Sequence, residues 1–377
     1  MKRALLVFRC VLCALIAVSA LETAARIDDA LSYGARFWGP YNDQALYVTD
    51  QAGKWGKPGA RYERWQLNSL GYRGPELRPG TVRIVCFGSS ETFGLYEAPG
   101  YEYPRRLEQD LNKLAGEPMF QVVNAAYPGE TIPTAIRHVP QVVQQTHPSY
   151  ALIYPAIANY IPAVNETGGP ANSGRFDKLA TLLSEMRVPE RVRNVLKSSL
   201  PERIQTGLRK REIERDSAGA PVMDRLPEKY VERFRGDLTL LVHSLRDRDV
   251  EPILATHATV FGATLSPGDR DLLTAWRKFY PMLKEDGFID MEERMNQVIR
   301  ETASRENIRL IDIANDIPHR PEYFADFVHF TTDGAALMAQ DLTAGLTPWI
   351  FSVARGQVHY FDKSTSSVMD RPGAILR

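Results

Sequence analysis

Two short segments far apart in the chain carry residue types that can do covalent chemistry together. One is Phe87-Gly88-Ser89-Ser90-Glu91-Thr92-Phe93-Gly94, and the other is Asp326-Phe327-Val328-His329. An alkyl hydroxyl is a weak nucleophile near neutral pH and needs a positioned base, usually an imidazole whose tautomer is fixed by a carboxylate. Ser90, His329 and Asp326 supply those three groups. Because Asp326 and His329 lie three residues apart on one turn of chain, the carboxylate can reach the ring nitrogen that faces away from the serine.

Something must hold Ser90 in place. It directly follows Arg83-Ile84-Val85-Cys86-Phe87, a run with the composition of a buried strand, and Gly88 and Ser89 permit a sharp turn into a helix. Apolar runs at 82–87, 119–124, 150–155, 252–257 and 308–313 predict five buried strands. Helical spacing separates them, as in Val231, Phe234, Leu238, Leu241 and Leu245, and more weakly in Met291, Met295, Val298 and Thr302. Strand and helix in alternation predict an α/β fold, a parallel sheet covered on both faces through right-handed crossovers. Sites in such sheets form at the carboxyl ends of the strands. Read in order, those ends deliver Ser90, then Ala125-Ala126-Tyr127-Pro128-Gly129-Glu130-Thr131, then Ala156-Ile157-Ala158-Asn159, and after the fifth strand Asp326 and His329.

Composition narrows the function classes. The 377 residues are 44% hydrophobic and 24% charged, enough for a large core. Lys and Arg together number 46, as do Asp and Glu, and no basic motif with interleaved aromatics occurs, which argues against nucleic acid as a partner. Two of the three cysteines, Cys10 and Cys13, fall in an apolar amino-terminal stretch, so Cys86 alone remains for the globular part and is assigned a packing role. The absence of cysteine pairs, a His-x-x-x-His motif or a phosphate loop gives no indication of a metal or nucleotide cofactor.

Residues 1–27 combine Lys2 and Arg3 with an apolar run from Ala4 to Leu21 interrupted only by Arg9. This reads as a signal anchor or signal peptide, the anchor being favoured because Glu22 and Arg26 continue a helical pattern past the small residues Val18-Ser19-Ala20. The flanking charges predict a cytoplasmic amino end and an extracytoplasmic bulk, periplasmic or at the cell surface, with secretion after cleavage as the alternative. Residues 28–80 read as a connector that packs on the main domain, 81–350 as that domain with a long insertion at about 160–228, and 351–377 as a tail. The insertion carries a stretch from Arg187 to Arg215 rich in Lys and Arg, read as a solvated helical face, and a short glycosylation pattern at Asn165-Glu166-Thr167.

With these blocks in hand the chain resembles the SGNH or GDSL hydrolase superfamily, in the form of its exported, membrane-anchored members. Gly88-Ser89-Ser90 stands where the family has Gly-Asp-Ser, and Thr92 and Gly94 fit the residues that follow. Gly129 fits the glycine of the second block, Asn159 the asparagine of the third, and Asp326 and His329 the last. The pattern departs at Ser89, at Ile157 in place of a glycine and at Tyr160 in place of an aspartate. Asn68-Ser69-Leu70-Gly71-Tyr72-Arg73-Gly74-Pro75-Glu76 looks like the lead-in of anchored members.

The resemblance implies a three-layer α/β/α fold of flavodoxin-like type with a five-stranded parallel sheet, and a serine esterase working through an acyl-enzyme. It implies Ser90 as nucleophile, His329 as base and Asp326 as its orienter. The backbone N–H groups of Ser90 and Gly129 and the side-chain amide of Asn159 then form the oxyanion hole. Localisation and resemblance together point to removal of an O-acyl group, O-acetyl included, from an envelope or secreted polysaccharide. A polysaccharide O-acetyltransferase using the same triad is the alternative, and a noncatalytic glycan-binding protein on a degenerate hydrolase fold the second. Asp312 is a lower-ranked substitute for Asp326 as orienting acid, since nothing in the spacing requires it; His257 is assigned a core or hydrogen-bonded role ahead of lining the cleft, and His243 a structural role.

Overall fold

The five apolar runs become the five strands of one parallel sheet, β1 (Val82–Gly88), β2 (Phe120–Asn124), β3 (Tyr150–Tyr154), β4 (Glu251–Ala255) and β5 (Arg309–Ile311). In this computed structural model their spatial order is β2-β1-β3-β4-β5. The structure describes residues 2–39, 41–51, 53–162, 186–189, 191–192, 211, 213, 222–262 and 264–369. The basic stretch 187–215 lies largely outside these residues, and Asn165 and most of the 160–228 insertion lie wholly outside them.

The strands are largely apolar runs because both sheet faces are covered, so both side chains of an alternating pair are mostly buried. Ile84, Val85, Leu152, Ile153, Ile253 and Leu254 are all essentially inaccessible. Register follows from the parallel ladders, with Cys86 opposite Asn124 and Leu152, and Leu152 opposite Ile253. The crossovers are α3 (Tyr103–Ala115) between β1 and β2, α4 (Ile132–Thr146) between β2 and β3, α5 (Glu228–Arg246) before β4, and α7 (Glu285–Arg305) before β5. Before α3 comes the single turn α2 (Ser90–Phe93), and α6 (Pro267–Arg277) precedes α7. After β5 come a second single turn, α8 (Ile313–Asp316), and the long carboxy-terminal α9 (Thr332–Met369). Helix α3 packs against α9, while α5 packs between α4 and α7, which gives three layers. The segment expected as a tail from 351 continues α9 as helix to Met369.

Sequence order leaves β1 toward β2 on one side and returns to β3 on the other. The reversal opens a crevice at the carboxyl ends of β1 and β3, where sheets of this kind form their sites.

The connector is built from two short antiparallel ladders, Tyr47–Thr49 with Lys54–Gly56 and Arg61–Tyr62 with Trp65–Gln66. Leu46, Trp55, Tyr62, Leu67 and Tyr72 sink into the common core. The lead-in then closes the sheet edge: Arg73 donates its backbone N–H to the Asn124 carbonyl at 3.3 Å, covering the exposed side of β2. Its buried guanidinium meets the carbonyls of Phe93, Gly94 and Glu97 and the carboxylate of Glu102, so the lead-in fixes the loop that follows Ser90.

Helix α1 (Lys2–Tyr33) precedes all of this. Its segment Phe8–Tyr33 is long and apolar enough to cross a membrane, and Leu6, Phe8, Leu15, Ile16 and Leu21 present bare apolar surface. The carboxyl third is different. Glu22 accepts the backbone N–H groups of Arg187 and Val188 at 3.0 Å, Asp29 pairs with the Arg187 guanidinium at 3.2 Å, and Arg191 reaches Asp28 at 2.8 Å as well as Asp29. Arg187 and Asp29 are both buried, so this end of the helix is clamped to the inserted segment at Arg187 and Arg191.

Candidate active site

Gly88 ends β1 where no side chain fits. A Cβ there would lie 2.0 Å from Thr92 Oγ1 and 2.8 Å from the Tyr154 carbonyl oxygen. The tight turn places Ser90 at the first position of α2, where a backbone N–H has no partner within the helix. Across the crevice, Gly129 adopts φ +79°, a conformation costly for any residue with a Cβ, and it turns the chain from β2 into α4.

Ser90, Gly129, Asn159, Asp326 and His329 all line one cavity of about 340 Å³. The five residues expected from four separate sequence blocks are therefore brought together.

The Asp326–His329 segment is the best-defined part. Asp326 Oδ2 and His329 Nδ1 are 2.8 Å apart, while Oδ1 accepts the backbone N–H groups of Val328 and His329 at 3.0 and 2.9 Å. The Tyr96 hydroxyl donates to Oδ2 at 3.3 Å, and its ring meets the His329 ring edge to face at 5.4 Å. Burial opposes ionisation of Asp326, but these donors, His329 foremost, hold its carboxyl below the usual range. Burial likewise opposes charge on His329, yet the bond from Asp326 and the carboxylates of Glu91 and Glu97 push it above the ordinary histidine value. His329 Nε2 is buried and has no hydrogen-bond partner among the described residues. A lone pair held ready at that nitrogen can accept a proton inside the cavity.

The Ser90 hydroxyl is not turned to that nitrogen. It donates to Glu91 Oε2 at 3.2 Å. Glu91 is buried, lies 3.6 Å from His257 Nε2, and His257 Nδ1 in turn lies 3.0 Å from Glu292 Oε2. Although burial opposes it, the two histidines hold the Glu91 carboxyl down at about 2, and Glu292 and Glu91 push His257 up to about 10. His257 is thus a buried imidazolium at the cavity wall, where the sequence offered it only as a candidate.

The donor groups are unequally prepared. The Asn159 amide is locked at both ends, its nitrogen donating to the Glu130 carbonyl at 2.9 Å and its oxygen accepting the Tyr280 hydroxyl at 3.1 Å. This fixes which end of the amide is the donor. The Gly129 N–H, by contrast, is taken by Ser89 Oγ at 3.0 Å. Ser89 therefore does the bridging between the first and second blocks at the position where the family carries aspartate. The other departures are accommodated by packing: Ile157 is fully buried, and Tyr160 packs on Phe234 and donates to Asp237 at 2.8 Å.

Asp312 is engaged elsewhere, gripped by Arg300 at 2.8 and 3.0 Å and by Thr256 at 2.8 Å, and His243 pairs with Glu306 on the exposed side of α5. Trp276, Phe279, Tyr280 and Phe327 line one side of the cavity, the buried Trp276 stacking on Phe327 and, behind it, on Phe288, while Phe279 is exposed. Among the described residues, no group of three His, Cys, Asp or Glu side chains is placed to hold a metal ion.

Sequence reasoning passed over Glu91, Tyr96, Tyr280 and Glu292. Glu91 adjoins Ser90, but a glutamate is ordinarily exposed and its burial carries no sequence signal. Tyr280 follows α6 in a loop without period.

Comparison with known proteins gives a consistent result. A family model described as GDSL-like Lipase/Acylhydrolase matches residues 86–337. No curated protein sequence matches. Similar solved structures include a lipase/acylhydrolase from Enterococcus faecalis, 18% identical, covering 71% of this chain and 95% of that one at a TM-score of 0.41. Another is a catalytic mutant of an acetylxylan esterase from Geobacillus stearothermophilus, 16% identical, covering 72% and 96% at 0.41. A psychrotrophic esterase from Pseudoalteromonas sp. is 13% identical, covering 71% and 98% at 0.40.

Proposed function

The chain belongs to the GDSL-like lipase/acylhydrolase family and is a hydrolase of ester bonds, and from that premise we propose that Ser90 is its nucleophile, His329 its general base and Asp326 the orienter of His329. The observation that carries this is the unpartnered Nε2 of His329, a residue held by a carboxylate at its other ring nitrogen and lining the same cavity as Ser90. In the first half-reaction Ser90 Oγ bonds to the ester carbonyl carbon while His329 takes the serine proton. The tetrahedral oxyanion collapses, the ester C–O bond breaks, and His329 returns the proton to the departing alcohol. Water then repeats the sequence on the acyl-enzyme and regenerates Ser90. The Ser90 N–H and the Asn159 amide stabilise the oxyanion, joined by the Gly129 N–H once the Ser89 hydroxyl turns away from it.

The substrate we propose is an O-acyl group, O-acetyl included, on an envelope or secreted polysaccharide. The exposed Phe279 ring at the cavity lining supports it, since the flat face of a sugar ring can pack on such a side chain while the acyl group enters the cavity. The apolar amino-terminal helix supports an anchored, extracytoplasmic enzyme. A fluorophosphonate probe tests the mechanism. The wild type labels, while Ser90→Ala and His329→Ala do not; an unlabelled wild type, or a Ser90→Ala variant that labels equally, sinks the assignment. Release of acetate from acetylated polysaccharides, measured with and without a sugar acceptor, then tests the substrate and separates hydrolysis from transfer.

A further inference from the structure

Beneath Ser90 lies a second set of charges that the proposed mechanism does not use. Glu91 sits between the Ser90 hydroxyl at 3.2 Å and His257 Nε2 at 3.6 Å, the latter too long for a hydrogen bond but close enough for an ion pair. His257 is fixed from every side. Its Nδ1 meets Glu292 at 3.0 Å, its backbone N–H and carbonyl are both bound by the Asn296 side chain at 2.7 and 2.8 Å, and its ring stacks on Tyr154 at 5.2 Å. Tyr154 is itself held, its hydroxyl accepting the Ala258 N–H at 3.0 Å. Four elements, α2, β3, the end of β4 and α7, thus converge on one buried carboxylate next to the nucleophile.

Building a charge into a core is costly unless it is paired, and breaking such a pair leaves an uncompensated ion. The carboxyl groups of Glu91 and Glu292 flank the His257 ring, and Glu91 is the member that borders both the cavity and the Ser90 hydroxyl. Resting on the assignment of Ser90 and His329 above, we propose that Glu91 is a positioning residue. It holds the Ser90 hydroxyl in a waiting orientation turned from His329, and from the wall of the same cavity it presents a negative charge to the His329 ring.

The groups facing His329 are Asp326 on its own loop, Glu91 on α2, and Tyr96 and Glu97 on the loop after α2. Glu91 is a poor base, because the two histidines hold its proton affinity far below that of an imidazole, so it orients the serine proton without removing it. The proton stays on Ser90 until the hydroxyl swings to His329 Nε2. Charge on Glu91 favours the imidazolium that forms at that moment.

Removing the charge lowers the His329 pKa, so the acid limb of the rate profile moves to lower pH. The test is the pH dependence of kcat/KM for p-nitrophenyl acetate, and of fluorophosphonate labelling, in Glu91→Gln and Glu91→Asp. The Gln variant still labels at Ser90, with its acid limb shifted to lower pH, while Glu91→Asp, which retains the charge, keeps the limb near the wild-type position. Superimposable Gln and wild-type profiles overturn the proposal. If the Gln variant does not fold, the wild type can still refute: an acid-limb midpoint at or below the ordinary histidine value of about 6.5 overturns the proposal. Loss of labelling in the wild type is a different result and removes the Ser90 assignment itself.

Discussion

Replacing Asp326 by asparagine changes few atoms, and the surrounding donors determine what it does. Oδ1 of Asp326 is bound by the backbone N–H groups of Val328 and His329. An amide at 326 must keep its oxygen there, since an NH2 facing two N–H groups would be repelled. The NH2 is then forced toward His329 Nδ1, now 2.8 Å from Oδ2. To accept from it, Nδ1 must give up its hydrogen, and the neutral ring carries its proton on Nε2. That tautomer cannot accept the Ser90 proton. A wrong tautomer in an otherwise intact triad costs about 10⁴ in kcat, which at 1.36 kcal/mol per decade is about 5 kcal/mol of barrier. Asp326→Ala removes the charge but imposes no tautomer, and retains more activity than Asp326→Asn. Steady-state kcat for p-nitrophenyl acetate near neutral pH, with circular dichroism as a check on folding, measures both. A folded Asn variant within about tenfold of wild type, or one faster than the Ala variant, refutes the reasoning.

Tyr280→Phe deletes the hydroxyl that pins the Asn159 oxygen and leaves the cavity wall in place. A net contribution of about 1 kcal/mol for such a bond predicts a fall in kcat of roughly fivefold to tenfold with little change in KM; a change confined to KM contradicts an orienting role. Stability follows the buried imidazolium: His257 is held at about 10 when folded and titrates near 6.5 when unfolded, so the folded state binds the extra proton between these values. Its contribution is complete below pH 6.5 and is lost as pH rises toward 10. Thermal unfolding midpoints therefore decline between about pH 7 and 9, and His257→Gln, less stable at neutral pH, flattens that decline; an equal slope in the variant excludes His257 as its source.

The sheet was legible because burial on both faces forces largely apolar runs, and each expected strand lies within two residues of the observed one. The order Ser90, Gly129, Asn159, Asp326 and His329 was legible because strand ends in a parallel sheet share one edge. Other features required the third dimension. The spacing favoured Asp326 over Asp312, but that Asp312 is engaged by Arg300 is a contact no pattern encodes. The capture of the Gly129 N–H by Ser89 depends on a side-chain orientation that no pattern encodes. The buried Glu91, His257 and Glu292 come from three separate elements, and each residue type alone reads as surface or core.

The clamp on α1 bears on how far the enzyme can reach. Glu22, Asp28 and Asp29 are tied to Arg187 and Arg191, so on the proposed topology the hydrocarbon ends near Leu21. Residues 4–21 then span about 27 Å at 1.5 Å each, close to the roughly 30 Å of a bilayer interior. Residues 22–33 add a stalk of about 18 Å. On that topology a short helical post, tied along 22–29 to the inserted segment, holds the cleft in a thin layer above the lipid. Substrate encounters on that topology follow lateral diffusion and the density of acyl groups in the layer rather than their bulk concentration.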